Sequence, residues 1–427
     1  MRDQTLDQLG EIFSRLRTHA PFTGDRIPID LGPEPPRFDT ETEYMVLDKD
    51  ETVKAVKPDS KIMPVEFEAF VDGVQRTTTL TRLPVAGYPV PIHLAHVAAA
   101  SILRTKDKRL IAPPNLINDR ILLIMPLTLM LQEGWEENEF MNFIKEYGIE
   151  QDKSDEAVYR ISSLNKRILL CDITHTGIGS EQGKNPSTSL SVVDLADPGL
   201  ISSRALGRVK WIRTILEMLT LHGLRSEKPE AWVIVDGPLI FLKTQAEHMK
   251  RAIGKDFDPL VTLKNAVGLV KDARLRLKKE ELKIVYDLDE DECSSIIALN
   301  QCVDLKGSLD IEKDEYDKKH LTSFARLRRP KLGLKLPTAD GLIGVDTYLS
   351  TFGFERSDDV TKENMRDRIP LFHSIVNGIW RERWPGIKDR KRALTQIYPI
   401  EQTERLLHSK LYSLREMAYL ASKLKII

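Results

Sequence analysis

PVEFEAFVDG (residues 64–73) and AWVIVDGPL (residues 231–239) are the two stretches whose reading decides the fold. Each is an apolar run that meets Asp-Gly, at Asp72 and at Asp236. Val, Ile and Phe at this density predict buried strands. An aspartate at the end of such a strand sits on a rigid support with its carboxylate at the sheet edge. Two such strands side by side bring two carboxylates within a few ångströms, which is unfavourable unless a divalent cation lies between them. A glycine after each aspartate permits a sharp turn and the close approach of a substrate phosphate. Asp-Gly is equally a common turn dipeptide that merely closes a strand, and sequence spacing alone leaves both readings open.

Outward from the first stretch, RTTTLTRL (76–83) and the apolar segment 90–103 continue the β pattern, so 64–103 reads as three consecutive antiparallel strands. Residues 118–148 are helical in character, KRILLCDI (166–173) is a further strand, and 174–189 is a Gly/Ser/Asn/Thr-rich loop. A long helix over 201–223 carries Leu206, Val209, Ile212, Ile215, Leu216, Leu219 and Leu221 on a broad apolar face. Glu217 lies in it, flanked by Ile215, Leu216, Met218 and Leu219, an unusually apolar setting for a carboxylate. Ala266–Val270 is a strand followed by Lys271. Residues 321–355 hold more strand-like segments, and the last 27 residues form an amphipathic helix with Leu406, Leu407, Leu411, Leu414 and Leu420.

The resulting expectation is an α/β chain. Residues 1–63 form an N-terminal helix (5–17) and a proline-rich linker, and 64–427 form one domain with flanking helices and a large helical insertion at about 104–200. The formal charge is −1, from 63 basic and 64 acidic side chains, so a nucleic-acid surface requires local segregation of Lys and Arg. Such clusters occur at Arg274, Arg276, Lys278 and Lys279, and at Arg326, Arg328, Arg329 and Lys331. The second group lacks interleaved acids and is the better phosphate track. Three cysteines without a CxxC pair exclude a disulfide framework or a cysteine-rich zinc site. No apolar run reaches the ~18 residues of a membrane span, and the charged N-terminus is unlike a signal peptide. A soluble, cytoplasmic protein is expected. P-loop, GxSxG and HExxH motifs are absent.

The order strand-Asp, strands, helix-Glu, strand-Asp is how a ribonuclease-H-like site is assembled, and such sites use two cations to hydrolyse phosphodiesters. The VDG at Asp72, the acidic helix, VIVDGPL, GLVKDARL (268–275) and the late YPIEQTE (398–404) resemble the NurA nuclease family, over about Glu66 to His408. The resemblance implies a ribonuclease-H-like core, a homodimer, a divalent cation (Mn²⁺ or Mg²⁺), DNA as substrate and a HerA-type hexameric ATPase as partner in DNA-end processing. It carries the family's strand acids onto Asp72 and Asp236 and the helix acid onto Glu217. The family also uses a late Tyr and His eight residues apart. Tyr88 and His96, in GYPVPIHLAH, have that spacing but lie early, and are read as strand residues. Tyr398 has the late position and is taken as the counterpart, with His408, ten residues on, second to it. Lys271 is placed to hold a scissile phosphate or to stabilise charge beside the metals. Two rivals remain: a non-catalytic scaffold that docks on the ATPase, and an RNA nuclease of the same fold class.

Overall fold

The computed structural model describes residues 44–47, 52–133, 168–174, 190–239, 249–250, 253–254, 256–271, 277, 279–299, 320–328, 341–354, 360–383, 394–417 and 419. The expected helix at 5–17 and nearly all of the loop at 174–189 lie outside them.

The strands belong to one mixed sheet. They are β1 (Tyr44–Val46), β2 (Ala55–Val56), β3 (Ala69–Val85), β4 (Tyr88–Arg104), β5 (Leu110–Ile111), β6 (Ile117–Met125), β7 (Ile168–Asp172), β8 (Val233–Asp236), β9 (Ala266–Val270), β10 (Cys293–Ser294), β11 (Ile297–Leu299), β12 (His320–Arg326) and β13 (Leu342–Tyr348). The centre runs β9-β8-β3-β4-β6. β4 is antiparallel to both β3 and β6, whereas β8 is parallel to β3 and to β9. β7 extends one side in parallel with β6, and β13, β12, β11 and β1 extend the other as antiparallel neighbours.

The helices are α1 (Leu127–Gln132), α2 (Pro198–Glu227), α3 (Pro259–Thr262), α4 (Lys279–Asp287), α5 (Lys362–Arg366), α6 (Ile369–Arg381) and α7 (Tyr398–Lys410). α2 begins where Asp197 accepts from the backbone N–H groups of Gly199 (2.8 Å) and Leu200 (3.1 Å), with Pro198 opening the first turn. Its apolar stripe, including Val209, Ile212 and Leu216, shares a core with Val71 and Val235. The neighbouring residues Phe70 and Ile234 join a different core, with Phe372, Ile375 and Val376 of α6. Successive strand side chains alternate between faces, so α2 covers one face and α6 the other. α7 lies on the α6 side, with Leu407 and Leu411 against Val74 and Ala98.

Several sequence expectations change. The three strands expected in 64–103 are two, because β3 runs through Asp72-Gly73 without turning. The hairpin turn is instead Ala86-Gly87, where both residues have positive φ (49° and 83°) and match the twist of the strands they join. The helical reading of 118–148 fails at its start: DRILLIM continues β6, and α1 follows, with 134–148 outside the described residues. The presumed insertion at 104–200 supplies β6 and β7 to the sheet, and the presumed linker before residue 64 supplies β1 and β2. The C-terminal helix does not continue unbroken through 401–427. It starts at Tyr398 and stops at Leu411, whose backbone is extended. There Tyr412 N–H donates to Nδ1 of buried His96 at 2.9 Å, while His96 Nε2 meets Asp119 at 3.1 Å. With Nδ1 accepting, the ring proton sits on Nε2 and is donated to Asp119. Arg76 also donates to the Tyr412 carbonyl. Tyr88 and His96 are both residues of β4, as expected.

Gly268, on β9, sits under the end of β8. A Cβ there meets the Gly237 carbonyl oxygen at 2.5 Å and Leu239 Cγ at 2.9 Å. Gly268→Ala is therefore expected to lower stability by about 1–3 kcal/mol, read as a lower urea midpoint with unchanged slope.

Candidate carboxylate site

The site grows from the register of β3 and β8. Val71 is paired with Val235, so the next residues, Asp72 and Asp236, stand side by side on adjacent parallel strands. β8 ends at Asp236, and Gly237 turns away with φ 131° while its N–H bonds the Leu269 carbonyl at 2.9 Å. Past that point β3 continues without β8, paired with β4 alone. Lys271 follows the end of β9, the next parallel strand, and reaches back to Asp236 with Nζ 2.7 Å from Oδ2. The other oxygen, Asp236 Oδ1, is buried without a hydrogen-bond partner.

Asp72 is 4% exposed, and its Oδ1 accepts from the Gly73 N–H at 2.7 Å. Burial holds its carboxyl well above the usual aspartate range. Asp236, Glu217 and Glu404 add to that, while Lys271 opposes it.

Glu217 arrives from α2, across the strand from the face where Asp72 emerges. Gly73 makes this possible: a Cβ there meets Glu217 Oε1 at 2.2 Å and Arg213 Cγ at 2.8 Å. The glycine after Asp72 therefore marks a close approach of a helix side chain rather than a turn. Glu217 is 6% exposed, with Arg213 Nε 3.3 Å from Oε1 but not aligned to donate to it. Burial pushes its carboxyl up to about 7; Arg213 opposes the shift and Asp236 adds to it.

Glu404, on α7, is the acid that the sequence reading missed. It lies on the face of β3 that carries Asp72, accepts from Gln396 Nε2 at 3.4 Å, and has His408 Nε2 3.4 Å from its Oε1. The signal available was the position of Glu404 inside YPIEQTE and its i,i+4 spacing to His408. His408 thus touches the site through Glu404. Tyr398 is less engaged. It opens α7 at 40% exposure, six residues before Glu404 and so about 120° round the helix.

Among the described residues, no group of three or more His, Cys, Asp or Glu side chains is close enough to hold a metal ion as it stands. The geometry gives the reason. Glu217 and Asp72 come from opposite faces, and Asp236 is turned to Lys271. The donor set is nonetheless all oxygen, crowded with negative charge and left with an orphaned buried oxygen on Asp236. That chemistry suits a hard divalent cation. Of the expected phosphate track, Arg326 does not face solvent. It is buried, donating to the carbonyls of Leu288 (2.5 Å) and Tyr286 (2.7 Å). Arg274, Arg276, Lys278, Arg329 and Lys331 lie outside the described residues.

The raised Glu217 pKa has a stability consequence. The unfolded carboxyl releases its proton near 4.5 and the folded one near 7, so between these values the folded state binds more protons. Its contribution is fully present below the lower value and is lost as pH rises to the upper one. Without divalent ions, Glu217→Gln is expected to raise stability at pH 8 by on the order of 1–3 kcal/mol and to leave it unchanged at pH 4, by urea denaturation at both values. No protein-family model and no curated protein sequence matches this chain.

Proposed function

We propose that this chain is a divalent-metal-dependent DNA nuclease with a ribonuclease-H-like core, similar to the NurA family and partnered by a HerA-type hexameric ATPase. The single observation that carries the reading is the pair Asp72 and Asp236 on adjacent parallel strands, with Glu217 on the helix between them in sequence. The central strand order supports it. Numbered along the chain, the five strands β3, β4, β6, β8 and β9 lie in the order 3-2-1-4-5, with one long helix between the third and the fourth.

In this reading Asp72 and Asp236 hold the cation, Mn²⁺ or Mg²⁺, and Glu217 completes the set from α2. When bound, the cation supplies Lewis-acid stabilisation of the phosphodiester oxygens. Glu404, steadied by Gln396 and His408, keeps Asp72 in a strongly negative environment. Lys271 is positioned to meet a phosphate oxygen beside Asp236. Tyr398, exposed at the start of α7, would position water or phosphate near the site in this reading. Dimerisation and the ATPase contact belong to the same reading. The described helices include none long and apolar enough to cross a membrane, in keeping with a DNA-directed role.

A second reading is a non-catalytic NurA-like scaffold on the ATPase hexamer. It is favoured by the lack, among the described residues, of three ligands converged on one point.

Labelled linear duplex and single-stranded DNA, with Mn²⁺, Mg²⁺ or EDTA, and with and without the ATPase, distinguish the two. Metal-dependent cutting by the wild type is expected, falling to background in Asp236→Ala and Asp72→Asn. Glu404→Gln should fall by about 10- to 100-fold, as for residues that orient a metal's ligands. Folded, ATPase-bound wild type that cuts no DNA under any condition would overturn the DNA-nuclease reading, and matched RNA substrates would then separate the scaffold from an RNA nuclease.

A further inference from the structure

The carboxylates of this site come with cations of their own. Lys271 Nζ lies 2.7 Å from Asp236 Oδ2, the geometry of a charge-assisted hydrogen bond, and both side chains are largely shielded, at 23% and 19% exposure. Arg213 stands beside Glu217. The free oxygen of Asp236 has no donor although it is buried. An aspartate with one oxygen bonded to an ammonium and the other unsatisfied is only half provided for. A buried acceptor without a donor is destabilising.

We propose that Lys271 is a built-in competitor for the cation position: it occupies Asp236 when the site is empty of metal and must withdraw before Asp236 can ligate an ion. The inference rests on the metal-dependent reading above and adds a regulatory step to it. The ammonium and a divalent ion both need Asp236, and they repel each other when close. At equal separation a divalent ion repels the ammonium twice as strongly as a monovalent one does, and partial burial weakens the screening between them. Lys271 hangs from the end of β9 on a flexible four-carbon stem, so it can swing away without moving the strand. Once withdrawn, it is a cation available to a phosphate arriving at the same edge. Metal loading and substrate capture are thereby linked through one side chain.

This proposal concerns metal affinity rather than rate, so its test does not depend on cleavage. Mn²⁺ is titrated into wild type, Lys271→Met and Asp236→Asn at pH 8, with free Mn²⁺ followed by electron paramagnetic resonance. Urea denaturation of each metal-free variant confirms that it is folded. Lys271→Met keeps the stem and removes the charge. Binding at least about tenfold tighter than wild type is expected, with Asp236→Asn losing it. Equal or weaker binding by a folded Lys271→Met, in a protein whose wild type binds Mn²⁺ through Asp236, overturns the proposal and leaves the nuclease reading standing. No Mn²⁺ binding by any variant overturns both. A merely structural ion pair would lower the stability of Lys271→Met without tightening Mn²⁺.

Discussion

Burying Asp72 in the middle of a strand, one register step beyond the pairing of Val71 with Val235, is the constraint on which the rest of the site depends. A buried carboxylate loses several kcal/mol of hydration, and a second one on the next strand makes the first harder to ionise. The surrounding residues answer that cost. Gly73 gives its N–H to Asp72 and gives up its side-chain volume to Glu217. Lys271 neutralises Asp236 from β9, and Arg213 stands by Glu217 from the preceding turn of the same helix. Arg213 shares its helix with Glu217, whereas Lys271 comes from the end of the strand next to the one that carries Asp236, so both cations are placed by the fold.

Such a cluster is tolerable only in a rigid frame. The 17-residue strands β3 and β4 supply it, covered on one face by α2 and on the other by α6 and α7. Polar clamps hold the frame at its corners. Arg225 ties the end of α2 to the carbonyls of Thr262 and Ala231, just before β8. Arg104 grips Glu382 through two bonds of 2.5 and 2.6 Å, fixing the end of β4 against the chain that leads from α6 to α7. These contacts hold the strands that carry Asp72 and Asp236 in place.

Legibility differed by element. β8, β9 and α2 were readable because each is strongly patterned: β8 and β9 are short apolar runs, the first stopped by Gly237-Pro238, and α2 carries a broad apolar stripe. The carboxylates Asp72, Glu217 and Asp236 and the lysine Lys271 were readable for the same reason, since an ionisable residue inside or just after an apolar run is conspicuous. Glu404 was not. It sits in a helix rich in charged residues, where nothing local separates the acid that faces Asp72 from those that face water.

Local pattern therefore determined β8, β9 and α2, and marked Asp72, Glu217 and Asp236 as carboxylates set in apolar surroundings. It did not determine where β3 ends, because Asp-Gly is compatible with a turn and with an extended strand, and only Glu217 packing onto Gly73 selects the latter. It did not reveal β6, whose apolar run is too short for periodicity to separate helix from strand until β4 and β7 flank it. Nor did it set the end of α7, where the amphipathic spacing continues past Leu411 but the bond from Tyr412 to His96, 316 residues away, pulls the chain out of the helix. In each case the deciding partner lies far along the chain, and long-range pairing is what a local sequence pattern does not encode.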